Sequence, residues 1–240
     1  MAGAATAAFA DFTESFDTGP TGWLVTPLVF TFGNNVGGDD LAFSSGTWHA
    51  LNNSVGGPGQ TGVFCNPTIW DGGANPGTHS GAGQACMNFA NSTGSNTIDT
   101  YLMSPTLTFH NGDVISFWTR TSDVVSFPDR LLLKLSTSGA STSAAAFSTT
   151  LLTVNPALNT TDYPSIYTQF TATVSGLSGA SSGRFALNYN VTNAGPNGAN
   201  SDFITIDDVS YTAASTVPEP ASLAVLAIGA VALVRRRKTA

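Results

Sequence analysis

Hydrophobic and polar residues alternate with a period of two along much of this chain. In RLLLKLS, Leu131, Leu133 and Leu135 fall on one face, with Arg130, Leu132 and Lys134 on the other. VISFWTR, Val114 to Arg120, puts Ile115 and Phe117 together. QFTATV groups Phe170, Ala172 and Val174, and RFALNYN groups Phe185, Leu187 and Tyr189. FITIDDVSY runs from Phe203 to Tyr211. Its parity sets Asp208 with Ile204 and Ile206 but Asp207 with Thr205, which predicts that the two carboxylates leave opposite faces. The separators are turn signals: His110 to Asp113, Ser138-Gly139, Ser175-Gly176, and Asn193 to Asn200. No stretch of helical period stands out between Asp11 and Thr212. Many strands joined by polar turns predict an all-β sandwich. The first hundred residues look looser. FGNNVGGDD, NNSVGGPGQTG and WDGGANPGTHSGAGQ read as long Gly-rich loops, with Trp23, Trp48 and Trp70 spaced through the region. Loops of that length need pinning by a disulfide or a metal.

Composition supports strands and turns over helices. Charged residues are only 10% of the chain, and Gly, Ser, Thr and Asn, which favour turns and caps, fill the gap. Apolar content of 42% is enough for a core. The net charge of −7 is unevenly spread: setting aside Glu219 and the four terminal bases leaves 14 acidic and 4 basic residues, a net of −10. An acidic body without a basic patch argues against nucleic acid as a partner. Cys65 and Cys86 are either two buried thiols or one bridge; in an exported chain the even count favours a bridge closing a loop of about 20 residues.

The two ends point to export. Ala8-Phe9-Ala10 fits the small-x-small rule of a signal-peptidase site before Asp11, without a basic or fully apolar stretch ahead of it. The expectation is that residues 1–10 are the end of a signal peptide whose reading frame starts earlier. At the other end, Val217-Pro218-Glu219-Pro220 precedes an almost purely apolar run from Ala221 to Val234, then Arg235, Arg236, Arg237 and Lys238. The run has no polar face from Leu223 to Val234, so a transmembrane helix is expected rather than a core helix. It is short for a span, and the arginines extend its reach by snorkelling. The bases stop it on the cytoplasmic side, leaving the body outside.

This tripartite tail closely resembles the PEP-CTERM sorting signal of Gram-negative bacteria. The resemblance implies recognition by an exosortase, transient residence in the inner membrane, removal of the helix and basic tail, and transfer of the body to the cell surface or matrix. Proline also keeps Val217 to Pro220 extended, where a processing enzyme can reach the backbone.

The body carries a second resemblance. ESFDTGPTGW, YLMSP at 101–105, ISFWTRT, DRLLLKLSTSG and FITIDDVSY follow in the order of motifs in the choice-of-anchor J domain, a jelly-roll-like module related to cleaved adhesin and MAM domains. A Tyr stands where that family has a Trp before its LVSP segment, and the loop after GW, often Asp-rich there, is apolar here. The expected organisation is a residual signal-peptide end at 1–10, a jelly-roll-like β-sandwich at 11–213 and the sorting signal at 214–240. In related jelly rolls the first and last strands lie side by side. Glu14 and Asp17 would then meet Asp207 and Asp208, as surface carboxylates or as ligands of a structural Ca²⁺, which takes six to eight oxygens. The family's near-constant acid matches Asp207, so the resemblance assigns the cation to Glu14 and Asp207.

Little else suggests chemistry. His49, His79 and His110 are scattered, and there is no H-E-x-x-H, G-x-S-x-G or phosphate loop. Sequons at Asn52, Asn91, Asn159 and Asn190 follow from an Asn-, Ser- and Thr-rich composition. The expected function is that of a non-enzymatic surface or matrix protein serving cell envelope, biofilm or adhesion. The alternatives are a carbohydrate-binding module that stacks exposed Trp and Tyr on an exopolysaccharide, and a hydrolase.

Overall fold

The computed structural model describes residues 11–17, 30–32, 39–54, 61–64, 77–81, 83–123 and 125–214. The leader end at 1–10, Trp23, Cys65, Trp70 and the sorting segment with its expected helix lie outside the described residues. Among the described residues no helix is long and apolar enough to cross a membrane.

The chain is all-β. Its strands are β1 (Phe12–Glu14), β2 (Phe30–Phe32), β3 (Asp39–Phe43), β4 (Gly46–Asn52), β5 (Thr61–Phe64), β6 (Ala85–Asn88), β7 (Ile98–Met103), β8 (Leu107–Phe109), β9 (Val114–Thr121), β10 (Leu131–Ser136), β11 (Thr149–Val154), β12 (Thr168–Thr173), β13 (Ser181–Val191) and β14 (Phe203–Thr212). They form two sheets. Sheet one runs β12-β9-β14-β6-β5-β2, with β1 alongside the second half of β14. Sheet two runs β11-β10-β13-β7-β4-β3, with β8 beside the start of β13. The pairings are antiparallel throughout.

One core lies between the sheets, built by the alternation read from the sequence. Ile115 and Phe117 of β9 and Ile204 and Ile206 of β14 meet Leu131 and Leu133 of β10 and Phe185, Leu187 and Tyr189 of β13, all fully buried. Each such side chain contributes roughly 1.5–3 kcal/mol by leaving water. The expectation that Trp48 sits among loops is corrected here, while much of the three Gly-rich stretches lies outside the described residues. Trp48 lies on β4 and is 0% exposed. Its ring meets Phe12, Phe16 and Phe185 edge-on at 5.7–6.3 Å, geometry that adds to plain area burial. Glycines around β4 masked a strand whose apolar positions are few but large.

A smaller apolar cluster sits on the outer face of sheet two. The connection after β10 folds back with a 3₁₀ turn, Ala144–Ala146, and plants Phe147 over Tyr101, Met103 and Ala186.

Strand β14 gives the sandwich its polarity. It enters from the 192–202 loop at one pole and leaves at Thr212 at the other, some ~30 Å away at about 3.3 Å per residue. At the exit the Ala213 N–H donates to Asp11 Oδ1 at 2.8 Å, and the Ala214 N–H to Asp113 Oδ1 at 2.8 Å. The first and last described residues therefore share one pole, and the 192–202 loop occupies the opposite one.

Candidate functional site

Glu14 and Asp207, the two residues assigned to a cation, are both buried, on neighbouring strands. Each has its own set of donors. Glu14 Oε1 accepts the Phe16 N–H at 3.0 Å; Oε2 accepts the Ser45 N–H at 3.1 Å and the hydroxyls of Ser44 and Ser45 at 3.2 and 2.7 Å. Trp48 Nε1 in turn donates to the Ser45 hydroxyl at 2.9 Å. Glu14 thus clasps β1 of sheet one to the β3–β4 turn of sheet two. Asp207 Oδ2 accepts the N–H groups of His79 and Ser80 at 2.8 and 3.1 Å, and Oδ1 that of Asp208 at 2.7 Å. Burial pushes its pKa up to about 6, against the pull of these N–H donors. Donors already meet all four oxygens of the two carboxylates, and among the described residues no three His, Cys, Asp or Glu side chains are grouped to hold a metal ion. The geometry fits hydrogen-bonded structural carboxylates.

The opposite-face expectation for Asp207 and Asp208 fails for a local reason. A β-bulge between Asp207 and Ser210 gives Asp208 a left-handed φ of 44°. The extra residue turns Asp208 to the same loop as its neighbour. Its Oδ2 lies 2.6 Å from His79 Nδ1, and its Oδ1 accepts the Ser80 hydroxyl at 2.8 Å. The His79 ring stacks on Trp118 at 3.8 Å and meets Tyr167 edge-on at 5.5 Å. Asp17 joins the same loop, accepting the Gly83 N–H at 2.9 Å. Segment 77–84 is thereby tied down on the outer face of sheet one.

This arrangement bears on sugar stacking. Tyr101, Tyr163, Tyr189 and Tyr211 are buried, Trp48 is in the core and one face of Trp118 is covered by His79. Among the described residues the exposed large apolar side chains are Phe127, 43% exposed, and Ile166.

Phe127 stands at a cavity of about 140 Å³ at the pole opposite the first and last described residues, lined also by Phe89, Gly195, Pro196, Ser201 and Asp202. The pocket is held by backbone bonds. Phe89 N donates to Asp202 O at 3.0 Å, Ser201 N to Pro128 O at 2.9 Å, Ala194 N to Asn96 O at 3.0 Å and Asn197 N to Gly94 O at 2.9 Å. Glycine is required at two points. Gly195 has φ of +81°, and a Cβ on Gly198 would stand 2.3 Å from the Ala194 and Asn193 carbonyl oxygens.

Beneath the pocket lies Asp129, fully buried. Its Oδ1 accepts the Tyr189 hydroxyl at 2.5 Å and the Asp202 N–H at 2.9 Å; its Oδ2 accepts the Thr121 hydroxyl at 2.7 Å. Burial raises its pKa to about 7 despite these donors. Sequence reasoning placed Asp129 only at the head of a strand motif. Its signal was a lone acid between Pro128 and a leucine-rich strand, which position alone does not separate from a surface charge.

The fold is of the sandwich class seen in cleaved adhesin domains. It is similar to the K3 cleaved adhesin domain of Lys-gingipain from Porphyromonas gingivalis W83, with 18% identity, a TM-score of 0.53, and coverage of 85% of this chain and 100% of that one. The K1 domain of the same protein matches with 18% identity, a TM-score of 0.47, and coverage of 86% and 99%. At this identity the likeness concerns fold alone. Residues 216–238 match the PEP-CTERM protein-sorting motif, as the tail's three parts imply; the chain is an exported protein bearing a C-terminal sorting address. No curated protein matches the sequence.

Proposed function

We propose that this is a non-enzymatic protein of the cell surface or extracellular matrix of a Gram-negative bacterium, released to its destination by an exosortase acting near Pro218 to Pro220. The observation that carries this reading is the sorting motif at 216–238, which begins shortly after the last strand ends at Thr212. The body is then a passenger whose role is outside the cell, in envelope, biofilm or adhesion. Its described carboxylates support a structural part: Glu14, Asp113, Asp129 and Asp207 are each engaged by hydrogen-bond donors. Intact mass of the protein recovered from the native cell surface tests the reading. Loss of the helix and basic tail is expected; recovery of Lys238 to Ala240 in that material would refute it.

A second reading, binding of an exopolysaccharide or surface glycan, is favoured by one observation: the exposed Phe127 at a cavity on the pole away from the first and last described residues. It departs from the expectation of a Trp and Tyr platform. Binding of the full chain to a glycan array is the test, and silence across the array would remove the reading.

A further inference from the structure

We propose that the pocket at the 192–202 pole is a subsite for one neutral pyranose ring of an extracellular polysaccharide. This rests on the glycan-binding reading above and gives it a location and a chemistry. Size comes first. About 140 Å³ accommodates the ring face of one pyranose, its outward hydroxyls left in solvent, since a closed cavity of ~150 Å³ accepts the smaller benzene. The lining suits such a ring. Phe127 offers an exposed aromatic face for the axial C–H groups of a sugar. Asp202, Ser201 and the backbone around Gly195 to Gly198 give polar groups for hydroxyls, and Gly195 and Gly198 bring main chain to the wall without side-chain bulk.

The walls are also preformed. The segment from Ala194 to Ser201 is bonded to two other parts of the chain, the 93–96 turn through Gly94 O and Asn96 O and the approach to β10 through Pro128 O, and Gly195 N donates to the Ser201 hydroxyl at 3.1 Å. Binding therefore need not order a loop.

Charge selects within the class. Asp202, which accepts the Ser122 hydroxyl, is in the lining, and the body carries a net −10, a balance that favours neutral sugars over uronic acids and sulfated sugars. The last described residues leave at the Thr212 pole, opposite the pocket.

The test uses the full chain in lauryldimethylamine oxide micelles, which carry no sugar headgroup. Amide signals of Gly195, Gly198 and Asp202 are followed by NMR during titration with D-glucose, D-galactose, D-mannose and N-acetyl-D-glucosamine at millimolar concentrations and above. At least one sugar is expected to move these signals saturably. Glucuronate should not. Phe127→Ala should weaken that response about ten-fold or more, and Phe127→Leu, which keeps apolar bulk without a flat face, should do the same. Absence of any sugar response at these amides would overturn the proposal. So would an undiminished response in both variants, or movement by phenol with none by sugars. Array binding that survives in both variants would keep the glycan reading and sink this pocket.

Discussion

Replacing Asp129 by Asn should make the protein more stable at neutral and alkaline pH. Asp129 is completely buried, and desolvation raises its pKa from 3.8 to about 7. Between those values the folded state keeps a proton that the unfolded chain has released. More protons are bound in the folded form, so stability falls as pH rises through this window and levels off above the folded pKa. The slope is about 1.4 kcal/mol per pH unit, so wild type is expected to lose on the order of ~3 kcal/mol between pH 5 and pH 8 from this group. Asn has no such proton to lose. It keeps the acceptor oxygen and one donor of the neutral acid, while its second amide N–H has no acceptor among these partners and adds a pH-independent cost of about 1–3 kcal/mol. Thr121 Oγ1 has a second acceptor, Phe203 O at 2.8 Å, so its hydroxyl can turn there and accept from an amide or a protonated carboxyl at 129. The Tyr189 hydroxyl and the Asp202 N–H keep the other oxygen. Urea unfolding of both proteins, followed by tryptophan fluorescence at pH 5, 6, 7 and 8, measures the difference. Asp207 titrates in the same direction but is common to both chains, so it drops out of the comparison. The variant is expected to gain ~3 kcal/mol on wild type between pH 5 and pH 8, starting at or somewhat below it at pH 5. A stability difference that does not change with pH would show that the Asp129 carboxylate is ionised in the fold and held by its three donors.

Three further outcomes are expected. Glu14→Ala leaves the buried N–H of Phe16 and the half-buried N–H of Ser45 without their acceptor and should cost about 1–3 kcal/mol, read by the same unfolding assay; a loss under ~0.5 kcal/mol would mean the clasp is dispensable. Cys65 and Cys86 are proposed to be joined, since Cys86 is buried on β6 of an exported chain; non-reducing peptide mapping should recover the bridged pair, and two free thiols in oxidised protein would exclude it. Melting curves with Ca²⁺ and with chelator should coincide if Glu14 and Asp207 are hydrogen-bonded carboxylates, whereas a rise of ~5–10 °C that vanishes in Asp207→Asn would place a cation between them.

The strands of the second half were legible because each has one face in water or under a polar loop and one in the core, so alternation survives in Leu131-Leu133-Leu135 and Phe185-Leu187-Tyr189. Strand β4 was not, because GTWHALN contributes one very large residue, Trp48, amid glycines and polar neighbours. The parity of Asp207 and Asp208 misled for a different reason: period-two counting assumes an unbroken ladder, and a bulge inserts a residue without any mark in composition. Glu14 was singled out as a cation ligand tying the first strand to the last, whereas its side chain bonds Ser44 and Ser45, in a turn about 30 positions away that no spacing in the sequence marks. The pocket could not be read at all. It exists only where Phe89, Phe127 and the 192–202 loop converge, and each belongs to a separate connection.

The place of β14 also governs the order in which the molecule can be completed. It is an interior strand, bonded to β9 on one side and to β6 and β1 on the other, yet it is the last to be made. On the export route proposed above, a chain delivered with its N-terminus leading cannot close sheet one until residue 212 has crossed, when the apolar segment from Ala221, only nine positions on, would be reaching the bilayer. Until then β9 and β6 have open edges and the inner faces of both sheets are wet, a state prone to mispairing. A sorting address at the tail thus reaches the membrane together with the strand that finishes the body, and a short interval separates an unfinished passenger from one ready to be cut loose.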